Sequence, residues 1–375
     1  MFKKLYLDKR LLIYLCIFFT ISILSINSAT KLLGSFYQNL AIKQIIWYIL
    51  GILVALFIMY IGNDKILDNI WYLYILGVIA LIGLLLFAPR INDAKCWFFI
   101  PGIGGIQPSE FMKIILILLI SKMINTFHQK YPYPTIFQEF IFLCKIMIIV
   151  IIPSLLTFLQ PDTGVVLIYL IITFSCLFIS GIRYKWFLLI GVILLLLIGG
   201  LLGLYFFNQE QFVNIFGNSF FLRIDRLLNW SNSSGFQLEN GRTAIGAGGL
   251  FGYGFNKTPI YFPEPQTDFI FAVFASNTGF VGSLLLITLI ILFDMHLISL
   301  SMKSKKHINK YIIAGILGML IYQQVQNIGM TIGLLPITGI TLPFISYGGS
   351  SLLSYFIAIG IILNIYNEKK YKNQN

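Results

Sequence analysis

Long apolar runs separated by short polar segments repeat along almost the whole chain. Runs long enough to cross a hydrocarbon core of about 30 Å lie at residues 11–28, 44–62, 69–88, 109–127, 138–157, 163–181, 185–207, 268–296, 309–333 and 345–366. A helix satisfies all of its backbone hydrogen bonds within one segment, as a membrane requires. The pattern therefore predicts an all-α, polytopic integral membrane protein with ten transmembrane helices, forming a single membrane domain over residues 1–375.

One long polar connection, at about residues 208–267, separates the predicted seventh and eighth helices. It is longer than an ordinary link between neighbouring helices. Residues 220–230 have an amphipathic pattern, which predicts a helix on a membrane surface. Residues 244–254 are rich in glycine. A phosphate-binding loop is one interpretation, but no strand precedes this stretch, so a flexible or closely packed loop is favoured.

Composition and charge place the chain in a membrane and orient it. Hydrophobic residues make up 58% of the 375 residues and charged residues only 11%, a balance that no soluble domain of this length could bury. The net charge of +12 indicates no nucleic-acid partner, because most lysines and arginines lie in alternate loops. Only Lys31, Lys43, Arg90 and Lys95 fall in the other short loops. The basic loops are predicted to be cytoplasmic, so both termini are expected on the cytoplasmic side of the membrane.

The acidic residues follow the opposite distribution. Acids contribute little to membrane orientation, so their bias needs another cause, and clustered ionisable groups beside membrane helices indicate a functional site. The three histidines, in contrast, fall near predicted cytoplasmic ends, which leaves the outer face without a histidine base or metal ligand. The acids at or beyond the outer face are Asp93, Glu110, Asp162, Glu210, Asp225, Glu239, Glu264 and Asp268.

Residues 261–272 form the stretch where the long polar connection re-enters the membrane. Glu264 and Asp268 lie just before an apolar run that begins at Phe269. A solvated acid that caps the next helix is the simple interpretation. A functional acid at the membrane mouth is the other, and spacing alone leaves both open.

Three more stretches concentrate polar side chains beside predicted helices. Glu110 and Lys113 are three residues apart at a helix start, so they lie on one face and are expected to pair. Asp162 lies in a tight turn between two spans. Gln323, together with Gln326 and Asn327, lies on one face of the ninth span, where hydrogen bonding between helices is the simple explanation.

The ordered motifs resemble those of the shape, elongation, division and sporulation (SEDS) family, whose members include RodA and FtsW. The resemblance covers nearly the whole chain and is closest in pattern to the RodA branch. The motifs that carry it are Gln-Pro-Ser-Glu-Phe-Met-Lys at 107–113, Gln-Pro-Asp-Thr-Gly at 160–164, the glycine-rich residues 244–254, Thr-Asp-Phe-Ile-Phe-Ala at 267–272, and residues 327–350.

The resemblance implies a peptidoglycan glycosyltransferase that polymerises lipid II at the outer membrane face. It implies a class B penicillin-binding protein as partner, within the machinery of cell elongation or division. The family's essential aspartate falls on Asp268. Its other motif residues fall on Lys43, Trp97, Glu110, Lys113 and Asp162, which the resemblance implies bind substrate.

Joining the motifs to the chemistry gives a hypothesis for the reaction. An α-linked lipid diphosphate donor that yields a β-1,4 bond requires a base for the acceptor hydroxyl and positive charge for the leaving diphosphate. Asp268 is the expected base. Lys43, Lys113 and Arg223 are expected to neutralise the diphosphate, with Glu110 and Asp162 orienting these cations and Glu264 in a supporting role. The sequence assigns no cofactor, and binding of a magnesium or manganese ion that bridges Asp268 and the diphosphate is an equally open role for this acid.

One departure from the family pattern keeps two alternatives open. Ser276 and Asn277 stand where relatives commonly carry two glutamates. If these acids share the catalytic work, the chain is a less active paralogue or a non-catalytic scaffold for a penicillin-binding protein. The other alternative is a lipid II flippase, in which the same residues would carry substrate without chemistry.

Overall fold

The structure is a computed structural model that describes residues 6–34, 39–89, 95–100, 104–228, 235–302 and 306–372. Most of these residues are helical. The helices are α1 (Lys9–Leu33), α2 (Leu40–Ile61), α3 (Asn63–Asp68), α4 (Ile70–Phe87), α5 (Pro108–Lys130), α6 (Ile136–Leu159), α7 (Thr163–Ile179), α8 (Tyr184–Phe207), α9 (Gln209–Phe216), α10 (Asn218–Leu228), α11 (Phe236–Ala247), α12 (Ile270–Met302), α13 (His307–Thr331) and α14 (Gly349–Lys372).

Each predicted apolar run contains one long helix, which confirms the all-α, multi-pass membrane class. Within the described residues, eight helices are long and apolar enough to cross a membrane: α1, α2, α4, α5, α6, α8, α12 and α14. The two remaining runs contain α7, which has only 17 residues, and α13, which carries polar side chains towards both ends. The count of ten membrane crossings therefore stays a prediction.

The centre of the bundle is formed by α5, α13 and α14. α5 packs against α4, α6, α7, α13 and α14, and α13 also packs against α7 and α12. Glycines bring α14 and α2 close together, since a methyl group at Gly360 would lie 2.8 Å from the carbonyl oxygen of Ala55. Close approach of backbones gives helices in lipid the packing contacts that replace a hydrophobic driving force.

A short β-hairpin between α4 and α5 is an addition to the predicted all-α fold. β1 (Phe98–Ile100) pairs antiparallel with β2 (Gly104–Ile106). The backbone N–H of Gln107, directly after β2, donates to Ser350 Oγ in the first turn of α14 at 2.9 Å. The hairpin thereby fixes the start of α5 against α14.

The long polar connection is largely helical and contains α9, α10 and α11. The predicted amphipathic helix is present as α10 up to Leu228, and residues 229–230 lie outside the described part of the chain. Aromatic rings join α8, α9 and α10, because Phe212 stacks with Phe220 and lies edge-on to Tyr205. The α9 and α10 part of the connection is thus packed against α8 and is not an extended loop.

The glycine-rich stretch packs against a break in α12, as the closely packed interpretation expects. Gly279 has φ 68° and interrupts α12. The loop fills the break, since Tyr253 N–H donates to the Ser276 carbonyl at 3.0 Å and Phe280 N–H donates to the Gly249 carbonyl at 2.9 Å. Gly252, with φ +75°, lies so close that an added methyl group would be 2.3 Å from the backbone of Asn277.

We expect Gly252→Ala to destabilise the folded protein by about 2 kcal/mol or more, because the methyl group overpacks the α12 break and the backbone is left-handed. Thermal unfolding of the purified protein in detergent measures this loss. Gly246→Ala is the matched control, because a methyl group there meets no atom within 4 Å. Equal stability of the two variants would contradict the close packing described for Gly252.

Candidate functional site

A cavity of about 330 Å³ opens where the ends of several helices meet. Its wall combines residues from the segment before β1, the start of α5, the α6–α7 turn, the segment before α12 and the segment between α13 and α14. Side chains of α7, α13 and α14 complete it. Five of the predicted site residues line it together: Trp97, Glu110, Asp162, Glu264 and Asp268. The acids that are far apart in sequence therefore converge at one end of the bundle.

Asp268 lies two residues before α12 and is half-buried in the cavity wall. Its main-chain carbonyl accepts a hydrogen bond of 2.9 Å from the side-chain amide of Asn327, which also donates to the Ile340 carbonyl at 2.8 Å. A methyl group at Gly339 would lie 3.6 Å from Asp268 Oδ2. Among the described residues the Asp268 carboxylate makes no helix-capping hydrogen bond, so the capping interpretation is wrong and the carboxylate is left for the cavity.

The environment of Asp268 disfavours its charged form. Burial raises the pKa of this carboxyl to about 7, and the negative charges of Glu264 and then Asp162 add to the effect. Burial also raises the pKa of Asp162 to about 6, although hydrogen bonds from the Val165 N–H and from Gln107 oppose the rise. Burial thus raises the pKa of two acids in one cavity towards neutral pH, as is typical of acid–base sites.

Glu264 is held in a strained turn before Asp268. Its φ is 51°, in the left-handed region. Its carboxylate accepts hydrogen bonds from Gln266 Nε2 at 2.9 Å and from Thr267 Oγ1 at 3.0 Å. The turn is attached to the segment before α14, because Ser346 Oγ donates to the Thr267 carbonyl at 2.7 Å. Strain of this kind persists only where surrounding contacts fix it.

Glu110 and Lys113 form the predicted pair, and the pair is buried. Lys113 Nζ lies 2.6 Å from Glu110 Oε2, and the lysine side chain is fully buried. The ammonium also lies over the ring of Tyr355, 5.3 Å from its centroid. Glu110 reaches the cavity wall but Lys113 does not. The position of Lys113 therefore suits support of Glu110 more than direct contact with a diphosphate.

Two predicted cations are not in the described cavity wall. Lys43 lies exposed in the first turn of α2. Arg223 lies on α10, and its side chain is outside the described part of the structure. Trp97, in contrast, lines the cavity and packs on Gly105 of the hairpin, where a methyl group would meet the indole at 2.9 Å.

Ser276 and Asn277 do not line the cavity. Asn277 is buried in α12, where its Nδ2 donates to Ser28 Oγ at 2.8 Å and its Oδ1 accepts from Thr258 Oγ1 at 2.9 Å. The departure from the family pattern therefore falls at a contact between α1, α12 and the glycine-rich loop. It changes packing there and not the wall of the cavity.

Sequence reasoning missed several residues of the wall. Gln107 donates from Nε2 to Asp162 Oδ2 at 2.8 Å and so orients that acid. Gln323, whose spacing predicts hydrogen bonding between helices, also lines the cavity together with Thr338. The signal that could have identified Gln107 is its place in the Gln-Pro-Ser-Glu motif, whereas Thr338 carries no sequence signal.

We expect Glu110→Gln to lower the stability of the folded protein by about 3–5 kcal/mol, because it leaves the buried Lys113 ammonium without its counter-charge. Thermal unfolding in detergent checks the prediction. The double variant Glu110→Gln, Lys113→Met is the matched control and should recover most of the loss, since it removes the unpaired charge. A double variant as unstable as the single one would contradict this account.

Comparisons with known proteins agree with the architecture. Residues 5–371 match the FtsW/RodA/SpoVE family, described as cell cycle proteins. Stage V sporulation protein E of Bacillus subtilis is 30% identical over 98% of this chain and 99% of its own length. Peptidoglycan glycosyltransferase MrdB of Escherichia coli is 31% identical over 80% of this chain and 78% of its own length.

The fold is also similar to solved structures. One is a chain of a peptidoglycan synthase complex, from work on the structural coordination of polymerization and crosslinking. It superposes with a TM-score of 0.79 and is 25% identical in sequence, and the match covers 96% of this chain and 98% of that one. This chain is about equally similar to a sporulation protein and to a peptidoglycan glycosyltransferase, so these identities do not assign it to one branch of the family. Membership of the RodA branch therefore stays a prediction. Five ordered motifs, the helical bundle and the match over residues 5–371 establish that this chain is a member of the FtsW/RodA/SpoVE family of cell cycle proteins.

Proposed function

We propose that this protein is a peptidoglycan glycosyltransferase that polymerises lipid II into glycan strands. Asp268 carries the proposal, because it presents a carboxylate without a hydrogen-bond partner among the described residues, and burial raises its pKa to about 7. The E. coli relative MrdB is named a peptidoglycan glycosyltransferase, which supports the same activity here. A base with a pKa near the working pH combines the correct charge state with a useful proton affinity.

The proposed step is a single displacement at the anomeric carbon of the donor sugar. The 4-hydroxyl oxygen of the acceptor forms a bond to this carbon on the face opposite the lipid diphosphate. The bond between the carbon and the diphosphate oxygen breaks, and the electron pair leaves with the diphosphate. The hydroxyl proton passes to the Asp268 carboxylate. Attack from the opposite face converts the α linkage of the donor into a β-1,4 bond.

Positive charge is needed where the diphosphate leaves. Lys43 and Arg223 are the proposed sources, because Lys113 is buried against Glu110. In the alternative proposal, Asp268 would help to hold a magnesium or manganese ion, which would supply the positive charge for the leaving diphosphate. Within the described residues no group of three or more His, Cys, Asp or Glu side chains is arranged to hold a metal ion. Such an ion would depend largely on the diphosphate for ligands, and the step above does not require it.

The proposed location is the bacterial cytoplasmic membrane, with the cavity at its outer face and both termini in the cytoplasm. The distribution of basic loops supports this orientation. The proposed partner is a class B penicillin-binding protein, within the elongation or division machinery. The similarity to a chain of a peptidoglycan synthase complex supports a partner that crosslinks the strands which this protein polymerises.

We expect Asp268→Asn to lower the rate of glycan synthesis by about 100-fold or more, because the amide cannot accept the hydroxyl proton. Polymerisation of purified lipid II by the protein, alone and with its partner, measures the rate. Glu210→Gln is the matched control, since it makes the same change in an exposed acid on α9 that does not line the cavity. Retained synthesis in Asp268→Asn, with both variants folded, would contradict the assignment.

The pH dependence of the rate provides a second test. The base acts in its ionised form, so kcat/KM should fall about tenfold per pH unit below the pKa of Asp268, near 7, and level off above it. Glu264→Gln removes a negative charge that raises this pKa, so the acidic limb should move to lower pH. The parent protein at the same pH values is the control. A limb that stays in place in Glu264→Gln would show that another group controls it.

A further inference from the structure

The charges in the cavity wall favour an uncharged ligand. Of the described residues that line the cavity, none is a lysine or an arginine. Asp162, Glu264 and Asp268 face the space. Within the described part of the chain, the cation paired with an acid of the wall is Lys113, which is buried with Glu110. A diphosphate placed deep in the cavity would meet charges of its own sign. A ligand portion with hydroxyl and amide groups would not.

Gln323 offers an unused hydrogen-bonding group on this wall. Its side chain is 1% exposed and lines the cavity. Nε2 donates to the hydroxyl of Tyr355 at 2.8 Å, while Oε1 is buried and has no partner among the described residues. Exchanging the amide oxygen and nitrogen would leave the nitrogen unpaired instead. In either orientation one polar group of this amide is unsatisfied, which is costly unless a ligand or water uses it.

The unpaired side-chain group of Gln323 lies deeper in the helix bundle than Asp268. Asn327 donates to the Asp268 main-chain carbonyl, and Gln323 lies four residues earlier on α13. Four residues are about one helical turn, or about 6 Å. Gln323 therefore lies about one turn deeper in the bundle than the contact that holds Asp268, on the floor of the same cavity.

Thr338 offers a second unpaired hydrogen-bonding group, between Asp162 and Asp268. Its hydroxyl oxygen is buried and has no partner among the described residues. The next residue, Gly339, faces Asp268 Oδ2. The main-chain carbonyl of Thr338 lies against Gly164, which follows Asp162 by two residues. The hydroxyl therefore lies in the part of the wall that joins Asp162 to Asp268.

We propose that Gln323 and Thr338 form a sugar subsite, which holds the amino sugar of the acceptor by its hydroxyl and acetamido groups while the lipid diphosphate stays outside the cavity. The inference rests on the proposed function and specifies which part of the substrate the cavity takes. A volume of about 330 Å³ suits one sugar unit better than a whole lipid-linked disaccharide, since small-molecule sites begin at about 300 Å³. The subsite would place the acceptor 4-hydroxyl beside Asp268, one turn above Gln323.

Equilibrium binding separates the sugar from the diphosphate. The protein carries Asp268→Asn to prevent turnover and is reconstituted in nanodiscs, with lipid II as one probe and undecaprenyl diphosphate, which lacks sugars, as the other. Gln323→Leu and Thr338→Val each remove a hydrogen-bonding group at nearly constant volume. We expect each to weaken lipid II binding about tenfold, as loss of a buried hydrogen bond does, and to leave undecaprenyl diphosphate binding unchanged.

Two matched variants control for general damage. Thr338→Ser keeps the hydroxyl and should bind lipid II like the parent. Gln324→Leu removes an amide from the adjacent position of α13, where the side chain bonds Asp294 at 3.3 Å in a different groove. It should also bind like the parent. Thermal unfolding of every variant identifies any that fails to fold, and binding is compared only among folded proteins.

The outcomes decide the proposal separately from the proposed function. Unchanged lipid II binding in both Gln323→Leu and Thr338→Val would overturn the subsite, as would an equal loss for undecaprenyl diphosphate, which would place the diphosphate in the cavity. Selective loss of lipid II binding supports it. Because these measurements need no turnover, a protein that binds lipid II through Gln323 but makes no glycan would refute the polymerase activity and leave the subsite standing.

Discussion

The side-chain amide of Asn327 makes two hydrogen bonds on which the shape of the site depends. It joins the main chain before α12, at Asp268, to the main chain after α13, at Ile340. Neither segment is helical at these points, and backbone of this kind is tolerated near a membrane only where the protein itself satisfies its polar groups. One buried amide thus holds two irregular segments together and sets the position of the Asp268 carboxylate over the cavity.

At the break in α12, non-helical backbone also has its polar groups satisfied within the protein, here by main-chain groups and not by a side chain. The main-chain groups that Gly279 releases from the helix are taken up by the glycine-rich loop, through bonds such as that from the Phe280 N–H to the Gly249 carbonyl. Only residues without a side chain allow the two backbones to approach this closely. The long connection after α8 is therefore anchored on α12, a few turns from Asp268, and its glycines allow this close contact.

Hydrophobic periodicity predicted the helices because burial in lipid is the dominant constraint on this sequence, and the clustering of Glu110, Asp162, Glu264 and Asp268 followed from the loop assignment. The pairing of Glu110 with Lys113 also followed from spacing. Burial of that pair did not, because the depth of a side chain depends on the packing of α5 against α14. The same limit applies to Asn277, which an alignment of motifs places near the site and the structure places in a contact with Ser28.

The placement of Lys113 also explains the charge of the cavity. Had this lysine faced the open space, it would have favoured the ionised form of Asp268 and lowered its pKa. Bound to Glu110 and covered by Tyr355, it neutralises an acid that would otherwise add a further negative charge to the wall. Burial, and then the negative charges of Glu264 and Asp162, raise the pKa of Asp268. Under the proposed function, the burial of Lys113 with Glu110 leaves Asp268 in a wall with no lysine or arginine among the described residues, which is the environment that the proposed base requires.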